Sequence, residues 1–244
     1  MRRREKFTRL LIAALLTLGA AICAAAQTSP ATKQNTREPT AAPDAAPVKV
    51  NESTDDARYA YEFKQPDFYV NHIVVEHDAT GRGTVSFERK GLEEPIVEPL
   101  VLSEAASARI KALWEALNFL DSTADYQSDK QFPHMGTMLL RMKRGERTRT
   151  AEFNWTHDPS ALALTTEYKR AADQAIFIFD INLARENQPL NAPKLMDQLE
   201  ALLKRNGLSD PQQLLPLLRE VYTDERLPLI ARNHAQRILK KIEK

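Results

Sequence analysis

The sequence predicts an α+β fold: an antiparallel β-sheet of two hairpins plus an extra strand, packed against two helices and followed by a three-helix tail. Three observations carry this expectation. Two regions alternate apolar and polar residues on either side of turn residues, the period of a half-buried strand. Two stretches with apolar residues at helical spacing begin at capping residues, Ser103 and Asp158. The C-terminal part is rich in Leu and Ile and is cut by prolines into short helical lengths.

These parts meet in residues 138–182. A hairpin there leads into a long helix that contains Ala175, Ile176, Phe177, Ile178 and Phe179 in succession. A surface helix needs apolar residues on only one stripe. An unbroken run covers the whole circumference, so this helix is expected to be enclosed by the sheet on one side and by the tail after Asn187 on the other.

In chain order, the folded part is expected to begin near Tyr59. Residues 68–76 read as a strand from their aromatic and β-branched content, and Asp78, Ala79, Thr80 and Gly81 supply a turn. Val85 and Phe87 then alternate on one face of a second strand. Residues 96–102 form the extra extended segment, interrupted by Pro99. Ser103 caps a helix with Ile110, Leu113, Trp114 and Leu117 on one stripe, ending near Phe119 and Leu120. The connection 121–135 is long for a compact domain, and such loops are often functional. The second hairpin pairs residues 138–142 with 150–155. Asp158 with Pro159 is a strong helix start. In the tail, residues 194–206, 211–222 and 228–242 read as helices, with Gly207 closing the first and Pro216 distorting the second. Each is too short to stand alone in water.

Residues 1–26 combine a basic start (Arg2, Arg3, Arg4), an apolar run and Ala24-x-Ala26, the pattern of a signal peptide cleaved before Gln27. The apolar run is shorter than the ~20 residues of a membrane span. The expected location is therefore periplasmic or secreted, with no integral span after cleavage; an uncleaved anchor is the alternative. Cys23 is the only cysteine and leaves with this segment, so the mature chain relies on a packed core and no disulfide. Residues 27–58, with Pro30, Pro39, Pro43 and Pro47 and little to bury, read as a disordered linker. The α+β domain is assigned to 59–187 and the helical tail to 188–244.

The formal net charge is +1, and the N-terminal segment holds much of the basic excess. The rest is net negative, without the basic field that binds nucleic acid. The histidines are His72, His77, His134, His157 and His234, and none has metal-ligand spacing. No metal or cofactor is expected, and the histidines read as surface or rim residues. Asp121, Asp125 and Asp129 recur every fourth residue, unlike the alternating ligands of a calcium loop. The pair His157 and Asp158 resembles a base with its orienting acid, but helix capping explains Asp158. Trp155 reads as core, or as a ligand platform if it stands exposed beside Tyr126.

From Phe68 to about Ala172 the order of elements resembles a loose group of secreted bacterial domains of unknown function. The likeness is carried by the turn at Asp78 to Gly81, the helix start Leu102–Ser103–Glu104, and the late hairpin before Asp158–Pro159. It implies an α+β fold and export, and it transfers no catalytic residue. The tail from Leu208, with Leu214–Leu215–Pro216–Leu217–Leu218 before Leu229–Ile230–Ala231–Arg232, is similar to a HEAT-type helical pair.

The expected function is non-enzymatic binding of a protein or envelope component. The alternatives are a hydrolase-like enzyme using the 121–135 loop with His134 or His157, and a proteinaceous inhibitor presenting the same loop.

Overall fold

A computed structural model describes residues 56–244; the signal-like segment and nearly all of the linker lie outside the described residues. Six strands form one antiparallel sheet: β1 (Arg58–Lys64), β2 (Val70–Asp78), β3 (Arg82–Arg89), β4 (Ile96–Val101), β5 (Thr137–Arg144) and β6 (Arg147–Phe153). Their order across the sheet is β4-β3-β2-β1-β5-β6. Two hairpins and an extra strand account for five of these. The sixth, β1, was not expected as a strand, and it lies at the centre. It pairs with β2 through Tyr61 and Val75 and with β5 through Tyr61 and Leu140. The expected linker boundary therefore moves: Ala57 is fully buried, and Arg58 already belongs to the sheet.

Two helices cover one face. α1 (Glu104–Ala116) is capped by the Ser103 hydroxyl, which accepts from the Ala106 amide. It ends at Ala116, short of the expected Phe119, and Asn118 takes a left-handed turn at φ 42°. α2 (Pro159–Asn187) is capped by Asp158, whose carboxylate accepts from the Ser160 and Ala161 amides. Tyr59, Tyr61, Val75, Val85, Phe87 and Leu140 project inward from the strands to meet Ile110, Trp114, Leu164 and Tyr168.

α2 outlasts the sheet and carries a second core. Ile176 and Phe179 pack toward the sheet, with the Phe179 ring edge-on to Phe87 at 5.5 Å. Phe177 and Ile181 point the other way, into the tail helices α3 (Ala192–Lys204), α4 (Leu215–Thr223) and α5 (Leu229–Ile242). The apolar run is thus enclosed from both sides. Arg185 of α2 bonds Glu220 at 2.7 Å and Asp224 at 3.2 Å. Hydrogen bonds from Arg226, and then from Arg185, hold the Asp224 carboxyl well below the ordinary carboxylate range. Closer to the sheet, Gln174 donates to Gln213 and accepts from the Asp210 amide, and Arg109 donates to the Ser209 carbonyl.

Two tail details differ from expectation. The residue that closes α3 in the left-handed region is Asn206 (φ 54°), not Gly207. The Asn206 and Gly207 amides bond back to Leu203 and Leu202, the paired arrangement that satisfies the last helical carbonyls. The expected helix 211–222 is divided: residues Pro211–Leu214 form a 3-10 turn, and α4 starts with Pro216 in its first turn. A proline there costs no hydrogen bond, because the first helical amides have no intrahelical partner. No helix among the described residues is long and apolar enough to cross a membrane.

Candidate binding site

The helices cover only the inner face of the sheet, so strand parity decides where each polar residue goes. His72 and His77 point to opposite faces, as their spacing implies. His72 stands on the open face, its ring nitrogens 2.8 Å from Glu88 and 2.9 Å from Glu62. His77 is buried, not the rim residue expected. Its Nδ1 donates to the Asp78 carbonyl at 2.7 Å, so its Nε2 accepts from the Tyr168 hydroxyl at 2.8 Å. The Tyr168 oxygen in turn accepts from Trp114 Nε1 at 2.9 Å. Burial pushes the His77 ring below its ordinary value and the Tyr168 phenol above its own, so both stay neutral. This chain ties β2, α1 and α2 together inside the core. His234 is also buried, between Asp197 and Glu200 of α3, which corrects its surface reading as well.

Further along the same inner face the covering is incomplete. Between the Lys64 end of β1 and the first turns of α2 lies a cleft of about 520 Å³. Tyr61, Phe63, Ile73 and Met138 come to it from the sheet, and Leu162, Thr165 and Lys169 from α2. Tyr61 stacks on Tyr168 with centroids 5.3 Å apart. Burial raises the Tyr61 phenol above its ordinary range, so it too remains neutral. Phe68, Met135 and Leu162 all leave a large part of their side chains exposed. Clusters of exposed apolar side chains of this kind mark interaction sites.

The 121–135 connection builds the remaining wall, and it is firmly held. Gln65, almost fully buried, donates to the Pro133 and His134 carbonyls at 3.1 and 2.7 Å. The Gln127 and Asn154 side chains bond to each other, Asn154 also accepts from the Phe132 amide, and the Ser128 amide donates to Trp155. Phe132 meets Trp155 edge-on at 5.5 Å. The loop then turns into β5 at Gly136, with φ 88° and ψ −179°, a region open essentially to glycine alone. A Cβ at Gly136 would lie 2.7 Å from the Lys64 carbonyl and from the Phe63 ring. Gly136→Ala is therefore expected to destabilise the protein by about 1–3 kcal/mol from backbone strain alone. Chemical denaturation measures this, and an unchanged midpoint would contradict the geometry.

The residues singled out in the sequence divide between this cleft and the surface. His134 and Trp155 line the cleft. Trp155 is half-buried against Phe132 and not beside Tyr126, which is buried against Phe119. His157 stays outside, 72% exposed and 3.8 Å from the equally exposed Asp129. Asp158 is committed to capping α2, Asp121 pairs with Arg147, and Asp125 accepts from the Gln127 amide. The wall residues Phe68, Tyr61 and Leu162 carry no sequence mark beyond being aromatic or aliphatic. Among the residues lining the cleft, the ionisable side chains besides the neutral Tyr61 are His134 and Lys169. This set offers apolar contact with a polar rim, the general form of a small-ligand site. No known protein family matches the chain, and no curated protein is similar to it at a significant level.

Proposed function

We propose that this chain is an exported, non-enzymatic binding module that engages an envelope or protein component through the cleft between β1, β5 and α2. The supporting observation is the disparity within the cleft: its walls are mostly aromatic, aliphatic and thioether groups, while several of its few polar side chains are already engaged. The Thr165 hydroxyl donates back to helix carbonyls, the Thr156 oxygen accepts from the Asp158 amide, and Asn154 is bonded to the loop. The walls are preformed, because Gln65 and Gln127 hold the loop in place, and preformed sites bind without an ordering cost. Export enters the proposal from the pattern of residues 1–26.

N-phenyl-1-naphthylamine, a neutral apolar dye, tests the cleft. Saturable binding with quenching of Trp155 is expected, and Leu162→Glu is expected to abolish it. Leu162 is 44% exposed, so the variant should keep the fold. Absence of dye binding, or binding undiminished in Leu162→Glu, would overturn the proposal.

A further inference from the structure

We infer that the ligand of this cleft is a free single-chain amphiphile with an anionic head, a carboxylate of the fatty-acid type. The inference rests on reading the cleft as a binding site, and it concerns what that site selects.

The first consideration is what the walls leave unsatisfied. An extended peptide carries an N–H and a C=O at every residue, and each needs a partner when it is buried. The cleft has few to give. The Asn154 oxygen is taken by Gln127 and Phe132, and the Thr165 hydroxyl by its own helix. An alkyl chain asks for no hydrogen bonds and gains from every apolar contact, at roughly 0.8 kcal/mol per buried CH₂. Walls this apolar, with the Asn154 oxygen and the Thr165 and Thr166 hydroxyls already paired, therefore favour a hydrocarbon chain over a backbone.

The second consideration is charge. No carboxylate lines the cleft, and its rim carries Lys169 and His134. The Lys169 side chain is 65% exposed and reaches Asp173 at 3.7 Å, beyond hydrogen-bond length. Asp173 is also met by Arg205 at 3.4 Å, so Lys169 can turn to an incoming anion without leaving that acid unpaired. The ring nitrogens of His134 have no hydrogen-bond partner among the described residues, and the exposed imidazole is available as a second donor. A cationic head would meet Lys169 with no acid on the walls to offset it.

Laurate and dodecyltrimethylammonium, each kept below its micelle concentration, test the inference on the full-length chain. The readout is the intrinsic emission change that disappears in Trp155→Phe. Laurate is expected to bind at least tenfold more tightly than the cation. Lys169→Glu, on an exposed helix position, is expected to weaken laurate on the order of tenfold and to improve the cation. Equal affinity for both heads, or laurate binding indifferent to Lys169→Glu, overturns the inference while leaving the apolar cleft intact. Response to anionic vesicles but not to monomeric laurate overturns it too. Silence toward both amphiphiles together with failure to bind the neutral dye removes the binding cleft itself.

Discussion

Truncation after Asn187 is expected to lower the unfolding free energy of the remaining domain by roughly 3–6 kcal/mol, because Phe177 and Ile181 each bury a side chain worth about 1.5–3 kcal/mol against the tail. Both are almost fully enclosed in the full chain, by a core that also contains Met196, Leu199 and Leu218. The loss would also free Arg185 from Glu220 and Asp224, and Gln174 from Gln213 and the Asp210 amide. Domains are stable by only about 5–15 kcal/mol, so the truncated form should be close to unfolding at ordinary temperatures. Far-UV circular dichroism during urea denaturation measures the difference. The full chain is expected to unfold in one transition, since α2 belongs to both cores. Equal midpoints for the two forms, or a full chain that melts in two separate steps, would show that the cores are independent.

Tyr168→Phe is the second large effect. The substitution keeps the ring and its stack on Tyr61 but removes the oxygen that joins Trp114 to His77. Two buried groups lose their partner, the Trp114 N–H and the His77 Nε2, at a cost of about 1–3 kcal/mol each. A total of roughly 2–6 kcal/mol is expected on that basis, well above the effect of removing a surface hydroxyl. The same network sets a pH dependence. Burial lowers the folded-state pKa of His77 beneath its unfolded value of about 6.5. As pH falls through that value, the unfolded chain takes up a proton that the native state refuses, so stability declines until the folded pKa is passed. Above pH of about 7 the contribution of His77 is fully present. His77→Gln should therefore show a shallower loss of stability than the parent from about pH 6.5 downward. His72 and His234, which face carboxylates, are common to both proteins and cancel in the difference. Parallel slopes would mean that His77 is not kept neutral by the fold.

How far the sequence anticipates these features depends on the range of the interaction involved. Local rules placed α1 and α2 correctly because capping at Ser103 and Asp158 is read within a few residues. Enclosure of the run from Ala175 to Phe179 was legible because continuity alone excludes a one-sided helix. β1 escapes the sequence reading although Tyr59, Tyr61 and Phe63 alternate: the segment directly follows a Pro- and Ala-rich stretch, and of its two pairing partners β2 is next in the chain but β5 is remote in sequence. The burial of His77 depends on Tyr168, 91 residues away, and no local pattern announces that pairing. The assignment of Gly207 as the turn residue followed composition, whereas the backbone placed the left-handed conformation one residue earlier, on Asn206. The cleft is half legible. The long loop and Trp155 were singled out, but their meeting with Phe68 and Leu162 depends on how far α2 leaves the sheet uncovered.

The central position of β1 bears on how this protein would respond to tension. The chain enters the sheet at Arg58, on a strand flanked by neighbours on both sides and not on an outer strand. A pull directed along β1 loads the ladders to β2 and β5 together, across the registers from Arg58 to Lys64. The bonds in those ladders lie across the strand direction, so they must fail nearly in unison instead of opening one after another. A molecule held by its N-terminal side would thus behave as a mechanically resistant clamp.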